Sequence, residues 1–477
     1  MPVLTLRPYH ADAMIHDLLI DNAHIVTPTG MVRGALLVHD GRVVSVLAGG
    51  PVPEAREVVD AQGRHLRPGV VDIHVHFREP GQEYKATYTS ESAAAAVGGV
   101  TSICDMPNNG AQAVVSAARL VAKAAVAARS SRVDFGLYAY LVGDTIEQLR
   151  DLRDAGAIGF KWDMSLAGTE VAPGVWLPTA AIALPAFKAA AALGMTIGIH
   201  AEDRPTISRQ ASALKAAGRS DAAAHLASRP AAVEVTALRE AIALARASGV
   251  HLHVHHLSSA AGLDLIRAAK HEGLWVTSET IPPFLFLDSG DYERLGTVMK
   301  IHPAVKEPED RAALWEGLRD GSIECIATDH APHTAAEKRR GVWEASPGAI
   351  GVQTSLMLML TEVNRGRLSL ERCVALMAAN PAGIHGLSPR KGAIVAGADA
   401  DLVLVNLAES AVIRNQDMLT PNQLTPFDGA PVRGVPKRTW LRGRLIARDG
   451  LPVGEAAGRQ LWRDSGAITR PLPPGNG

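Results

Sequence analysis

With 477 residues, 47% of them hydrophobic and 20% charged, the chain has the composition of a globular protein and the length of a barrel plus a smaller domain. Its formal net charge of -1 gives no electrostatic basis for binding nucleic acid or an anionic membrane, which favours a small molecule as the partner. Three cysteines without Cys-x-x-Cys spacing argue against a disulfide framework and a thiolate zinc site, so we expect a cytoplasmic location.

The two ends of the chain are expected to lie outside the folded domains. Charges and histidines interrupt the first twenty residues, so we predict no secretory signal, and no apolar run reaches the roughly 18 residues of a transmembrane helix. The regular pattern begins near Met14, which makes residues 1–13 an N-terminal extension. Residues 451–477, which end in PLPPGNG, are predicted to form a C-terminal tail.

Short segments of alternating apolar residues predict a small β domain made from both halves of the chain. Two such segments flank the Asp40-Gly41 turn, which is the pattern of a hairpin. Similar strands with turn glycines return near the C-terminus in ADLVLVNL and TWLRGRLIARDG. Each part is too short to bury a core alone, so residues 14–67 and 386–450 are predicted to form one discontinuous β-sandwich domain.

The middle of the chain, residues 68–385, alternates short apolar runs with Ala-rich amphipathic segments. Residues 230–249, for example, open with a proline and end with a glycine, as helices do. Eight such repeats with almost wholly apolar strands predict a (β/α)8 TIM barrel of the α/β class, with a doubly wound open sheet as the alternative. No Gly-x-Gly-x-x-Gly follows an early strand, which disfavours a dinucleotide site. The predicted strands are GVVDIHVH, GVTSICDM, RVDFGLYAYLV, AIGFKW, MTIGIH, VHLHVHHL, LWVTSE and IECIATDH.

Side chains that can bind a metal stand at the ends of these strands, where the chemistry of a barrel gathers. The stretch VDIHVHFREPG, residues 71–81, places two histidines on one face of a strand end. Such a pair is either two buried, hydrogen-bonded histidines or half of a metal site, and an aspartate after a strand is either a helix cap or a ligand. Their convergence on one barrel mouth favours a metal site. The residues are His74, His76, Lys161, His200, His256 and Asp329.

The sixth predicted strand carries four histidines, of which only one parity can face the barrel interior. His251, His253 and His255 share one parity and His256 has the other. We expect His256 to face the interior and the other three to be packing or surface residues.

Lys161 is predicted to have a more specific chemistry than that of a buried ammonium, which metal ions would repel. A desolvated lysine amine of lowered pKa can add carbon dioxide and become a carbamate. The carbamate is an anionic ligand that can bridge two metal ions.

With these residues in place, the chain resembles the amidohydrolase superfamily over nearly its whole length, and within it the cyclic amidohydrolases: dihydroorotases, allantoinases and hydantoinases. The resemblance implies two divalent metal ions, usually zinc, bridged by a carbamylated lysine and a hydroxide. His74 and His76 match the ligands of the first strand, and Lys161 in GFKW matches the bridging lysine. His200 in IHAED and His256 in HHLSS match the ligands of the second metal, and Asp329 in ATDHAPH matches the catalytic aspartate.

Three further residues make the chain most similar to dihydroorotases. Arg78 in HFREPG, Asn108 in DMPNN and His333 look like the groups with which dihydroorotases hold the substrate carboxylate. Arginine presents a fork of donors that fits a carboxylate. The resemblance therefore implies reversible opening of dihydroorotate to N-carbamoyl-aspartate. Hydantoinase, dihydropyrimidinase and allantoinase activities are the alternatives.

Two motifs depart from the dihydroorotase pattern. Pro282-Pro283-Phe284 stands where the family usually has Pro-His, and His302 stands where dihydroorotases usually have an asparagine. Both positions lie near the substrate ring in the family, so His302 is predicted to bind substrate and a different cyclic amide stays open. A non-catalytic scaffold that binds a partner enzyme is a further alternative, although such members typically lose metal ligands that this chain keeps. Because barrels of this kind often form dimers or tetramers, we expect a homo-oligomer.

Overall fold

The computed structural model describes residues 15–142 and 145–463 of the chain. The predicted N-terminal extension and the PLPPGNG segment of the predicted tail lie outside the described residues. Within them, the chain forms a parallel barrel surrounded by helices, together with a separate sheet, which confirms the predicted fold class. The boundaries given above for the domains stay a prediction.

The barrel sheet has eight strands, here called barrel strands 1 to 8. They follow one another in sequence order, neighbouring strands are parallel, and a bridge between Val75 and His330 links the two ends of the sheet. Nearly every strand residue is buried, because helices cover the outside and side chains fill the inside, and the apolar strand sequences reflect this. The strands are Val70–Val75, Val100–Asp105, Asp134–Tyr140, Ala157–Asp163, Thr196–His200, His251–Val254, Val276–Thr280 and Cys325–Ile326.

Amphipathic and Ala-rich segments form the helices around the barrel. The helix Ala231–Ser248 begins directly after Pro230 and ends at Gly249, whose φ of 72° is a left-handed conformation that glycine adopts without strain. No helix of the described residues has the length and hydropathy of a membrane span. The other α-helices are Tyr88–Val97, Ala117–Ser130, Ile146–Asp154, Leu184–Ala192, Arg204–Ala216, Ala223–Ser228, Ala260–His271, Pro282–Phe286, Tyr292–Leu295, Pro308–Asp320, Ala335–Lys338, Ser355–Asn364, Leu370–Val374 and Asn380–Ile384.

The second sheet has nine strands and combines both ends of the described chain. Leu402–Val412 pairs antiparallel with His65–Pro68, which joins the C-terminal strands to the N-terminal ones. The predicted hairpin turn is present, with Asp40 and Gly41 both at positive φ. The remaining strands are His16–Thr27, Gly30–His39, Arg42–Leu47, Ala55–Asp60, Pro431–Leu441, Arg444–Arg448 and Leu451–Pro452, and a separate small hairpin pairs Glu170–Ala172 with Val175–Trp176.

Part of the segment predicted as a C-terminal tail packs on the barrel. The backbone N–H of Leu461 donates to the carbonyl of Phe135 at 2.7 Å, at the beginning of barrel strand 3. The Leu461 side chain is buried there. Residues up to 463 therefore belong to the packed structure.

A buried ion cluster joins barrel strand 3 to the segments that lead into and through the second sheet. The Lys391 ammonium lies 2.6 Å from Asp134, 2.7 Å from Asp401 and 2.8 Å from Asp399. Arg442 pairs with Asp134 from the sheet side. The two cations compensate carboxylates that would otherwise be buried at a high free-energy cost.

Candidate active site

One face of the barrel mouth brings His74, His76 and Asp329 together. The Oδ1 atom of Asp329 lies 2.9 Å from Nε2 of His76 and 3.2 Å from Nε2 of His74. His74 is the penultimate residue of barrel strand 1, His76 follows that strand, and Asp329 comes after barrel strand 8, which is the neighbour of strand 1 across the closure. Two imidazole nitrogens and a carboxylate oxygen at this spacing form a donor set suited to a divalent transition metal.

A second face of the mouth carries His200 and His256. The Nδ1 atom of His200, at the end of barrel strand 5, lies 2.9 Å from Nε2 of His256. Both side chains are buried. Two imidazoles that face each other through ring nitrogens supply a second set of metal-binding atoms in the same mouth.

Lys161 lies on barrel strand 4, opposite Gly198 of barrel strand 5, the strand that ends at His200. Its side chain is only 5% exposed, and its amine has no hydrogen bond or ion pair with the described residues. Burial lowers the pKa of this amine. A buried amine without a partner, surrounded by metal-binding side chains, fits the predicted carbamate better than it fits a structural ammonium.

Hydrogen bonds fix the orientation of three of the four histidines. The outer nitrogen of His76 donates to Oδ1 of Asn108 at 2.8 Å, that of His200 donates to Glu202 at 2.8 Å, and that of His74 donates to Glu279. Because each outer nitrogen carries the proton, each inner nitrogen presents a lone pair to the mouth. This tautomer is the one that binds a metal, so the residues present fit a two-metal centre.

Glu279 and Glu202 are site residues that the sequence did not single out. Glu279, on barrel strand 7, also accepts from Nε2 of His253 at 3.1 Å, from Nδ1 of His255 at 3.1 Å and from the backbone N–H of His256 at 3.2 Å. Its position as the only acidic residue of an otherwise uncharged strand was the available signal. Glu202 stands two residues after His200 and pairs with Arg229 as well.

The expectation for the histidines of barrel strand 6 is wrong in one respect. His253 and His255 are the residues that point into the barrel, where His255 lies against Gly198 so closely that an added Cβ would come within 2.1 Å of it. His251 is buried too, so none of the three is a surface residue. His256 reaches the mouth by another route, because the strand ends at Val254 and His256 adopts a φ of 36°.

Arg78, Asn108 and His333 are not equivalent in the structure. Nη2 of Arg78 lies 3.0 Å from Nε2 of His333, and the Arg78 Nε–H donates to the carbonyl of Pro332 at 2.9 Å. Asn108 directs its oxygen to His76 instead. Arg78 is 6% exposed, and no carboxylate of the described residues lies within ion-pair distance of it. Burial lowers the pKa of Arg78 to about 10, so the guanidinium stays charged at neutral pH.

His302 lies beside the mouth, stacked on His225 with ring centroids 5.3 Å apart. His225 donates from Nε2 to the carbonyl of Ile301, which fixes the stack. Burial and the neighbouring Arg229 lower the pKa of His302 far below its ordinary value, so the ring is neutral. Pro283, the other departure from the dihydroorotase pattern, is buried in the helix Pro282–Phe286.

Three of the residues at the mouth adopt strained backbone conformations. Arg78, His256 and Asp329 have φ values of 70°, 36° and 46°, a region that residues with a Cβ rarely occupy. Each such residue costs about 1–3 kcal/mol, and such strain clusters at functional sites. Nothing in the sequence pattern predicted it.

Comparison with known proteins shows which family the chain matches and which proteins it is similar to. The model of the family described as "Amidohydrolase family" matches residues 66–446. An L-hydantoinase from Paenarthrobacter aurescens is 37% identical over 91% of this chain and 95% of its own length, and a dihydroorotase from Methanothermobacter thermautotrophicus is 35% identical over 93% and 97%. Among solved structures, an L-hydantoinase (dihydropyrimidinase) from Arthrobacter aurescens has a TM-score of 0.90 and 35% identity, covering 94% of this chain and 100% of that one.

Proposed function

The chain belongs to the amidohydrolase family and is a cyclic-amide hydrolase, and from this premise we propose that its substrate is a cyclic amide that carries a carboxylate, with dihydroorotate as the first candidate. The observation that carries this proposal is the buried Arg78 guanidinium, which has no carboxylate partner among the described residues. A buried charge is costly unless it is paired, and a substrate carboxylate would pair it.

The proposed cofactors are two divalent metal ions, with zinc as the first candidate. His74, His76 and Asp329 would hold one, His200 and His256 the other, and a carbamate on Lys161 would bridge them. Bound there, the metals would polarise the scissile carbonyl and lower the pKa of a water molecule. The hydrogen bonds that the histidines donate to Asn108, Glu202 and Glu279 keep them in the tautomer that this role requires.

In the proposed reaction, Asp329 moves the proton. A water attacks the amide carbon, the Asp329 carboxylate accepts its proton, and the same group returns the proton to the departing ring nitrogen. The C–N bond of the ring breaks, which gives a carbamoyl amino acid from dihydroorotate. Ring closure of N-carbamoyl-aspartate is the reverse path, with Asp329 removing the proton from the amide nitrogen.

A second candidate function is opening of a hydantoin or dihydropyrimidine ring. The similarity to L-hydantoinases supports it, as does His302, which puts a neutral imidazole where dihydroorotases usually have an asparagine. The non-catalytic scaffold has less support, because all six side chains proposed as metal ligands are present and grouped at one mouth.

The deciding experiment is hydrolysis of a panel of cyclic amides by the zinc-loaded enzyme, with dihydroorotate, dihydrouracil, hydantoin and allantoin as members. We expect the highest kcat/KM with dihydroorotate. Arg78→Ala should raise KM for dihydroorotate about 10- to 100-fold, since a charge-assisted hydrogen bond contributes about 1.5–3 kcal/mol. Arg239→Ala, at an exposed helix position, is the matched control. Activity on hydantoin without activity on dihydroorotate would reject the proposed substrate.

A further inference from the structure

His333 contacts three polar groups through its two ring nitrogens. The Lys85 ammonium lies 3.1 Å from Nδ1. The carbonyl oxygen of Pro347 lies 2.8 Å from Nε2, and Nη2 of Arg78 lies 3.0 Å from the same nitrogen. Two of these groups are cations that can only donate, and one is an acceptor.

Only one arrangement of protons satisfies two of these contacts. An ammonium must donate to a lone pair, so Nδ1 accepts from Lys85. The imidazole is neutral, because burial and the neighbouring Arg78 and Lys85 lower the pKa of His333 to about 2. Its single proton is then on Nε2, which donates to Pro347. The contact of Arg78 with Nε2 is therefore between two donors and is not a hydrogen bond.

The acceptor at Pro347 is itself held in place. The buried Lys338 ammonium donates to the carbonyl of Gly348 at 2.8 Å and to that of Ser346 at 3.3 Å, on either side of Pro347. The loop therefore presents a fixed carbonyl to Nε2 of His333. With one fixed acceptor and one fixed donor, both ring nitrogens are used within the protein.

The charges of this cluster do not balance. Lys85 pairs with Glu337 at 3.2 Å, whereas Arg78 has no carboxylate within ion-pair distance in the described chain. Both cations are at most 7% exposed. One positive charge is left for a ligand, on a guanidinium whose outer nitrogens have no acceptor among the described residues other than the occupied imidazole.

We infer that Lys85 is a positioning residue for substrate specificity: by donating to Nδ1 of His333 it keeps the imidazole proton on Nε2, and so leaves the Arg78 guanidinium free to bind a carboxylate on the substrate ring. The inference rests on the proposed function, in which the substrate carries that carboxylate. Without Lys85, the imidazole proton can move to Nδ1, toward Glu337 at 3.8 Å. Nε2 then accepts from Arg78 and competes with the substrate.

The test compares two substrates that differ by the carboxylate alone. Lys85→Met removes the donor and Lys85→Arg keeps one, while Lys188→Met changes an exposed lysine in the same way. For Lys85→Met we expect KM for dihydroorotate to rise about tenfold with kcat within about twofold, and kinetics with dihydrouracil to stay unchanged. Lys85→Arg should restore KM. Equal effects on both substrates, or no effect on either, would overturn the inference.

A wrong substrate proposal can be distinguished from a wrong inference about Lys85. If the wild-type enzyme opens hydantoin but not dihydroorotate, inhibition of that reaction by orotate and by uracil replaces the substrate pair. Weaker inhibition by orotate alone in Lys85→Met supports the role of Lys85, and unchanged inhibition contradicts it.

If a Lys85 variant does not fold, a measurement on the wild-type protein still tests the inference. The imidazole ¹⁵N shifts of His333 report its tautomer, which we expect to be the one protonated on Nε2. A proton on Nδ1 would contradict the inference without any variant.

Discussion

The ammonium of Lys391 lies 2.6 Å from the carboxylate of Asp134, which ties the segment that leads into the second sheet to the beginning of barrel strand 3. Burial alone would raise the pKa of Asp134, but Lys391 and Arg442 lower it below its ordinary value. The folded state therefore stabilises the ionised form of this carboxylate relative to the unfolded state.

Asp134→Asn should lower the free energy of unfolding by about 3 kcal/mol, because it leaves the Arg442 guanidinium without its carboxylate partner and takes one of three carboxylates from Lys391. The pKa of Asp134 is lower in the folded state, so this contribution is fully present above the unfolded pKa of about 3.9 and is lost as the pH falls through the folded value. Urea unfolding of wild type and variant should differ equally at pH 6 and pH 7 and converge below about pH 4. Asp264→Asn, at an exposed ion pair, should change stability by at most about 1 kcal/mol. A difference that grows in acid would contradict the assignment.

Lys161→Ala should abolish two-metal occupancy, because the proposed bridging carbamate cannot form. Elemental analysis of the purified variant should give fewer than two zinc ions per chain, against two for wild type and for Lys188→Ala. Lys161→Arg adds a stringent comparison, since it keeps the positive charge but cannot add carbon dioxide. Two metals per chain in either Lys161 variant would rule out the bridge.

Asp329→Asn should lower kcat about 10²- to 10⁴-fold, the range for loss of a general acid–base group. The amide keeps an oxygen that can face His74 and His76, so metal content should fall less than activity. Steady-state kinetics and elemental analysis on the same preparation separate the two effects. A near-normal kcat in this variant would contradict the proposed role of Asp329 in proton transfer.

Glu279→Gln should weaken metal binding about 10- to 100-fold, as loss of a hydrogen bond to a metal-binding histidine does. Oε1 of Glu279 accepts from His74 and His255 and Oε2 accepts from His253, so an amide, with one acceptor oxygen, leaves one of these two sides facing a second donor and disturbs the histidine network. Competition with a chelator measures the affinity independently of activity. Glu272→Gln, at an exposed ion pair, is the control. Unchanged affinity would show that Glu279 is only a packing residue.

The barrel was predictable because each of its strands and helices is encoded by a short contiguous stretch of sequence. Eight apolar runs separated by helical segments define parallel strands buried on both faces, and the structure contains all eight. The position of His74 and His200 at strand ends was predictable for the same reason, since a polar residue that closes an apolar strand faces the mouth.

The contacts between distant segments were not predictable in this way. Asn108 was assigned to substrate, yet its oxygen bonds to His76, and the choice depends on where two loops meet. The parity rule wrongly excluded His253 and His255 from the interior because it presumes a regular strand through His256, whereas the strand ends at Val254 and the backbone turns left-handed at His256. Glu279 and Lys85 were missed because their roles depend on which nitrogen of a histidine carries a proton.

The order of synthesis gives the mixed sheet a further consequence. Asp134 is made long before Lys391 and Arg442, so a nascent barrel that closes early contains a carboxylate without its two cations. The strand His65–Pro68 likewise waits for Leu402–Val412 before its free edge is paired. The barrel thus reaches its full stability only when the last strands have left the ribosome, and a chain truncated before Arg442 would be exposed to proteolysis even though every residue of its catalytic mouth had been made.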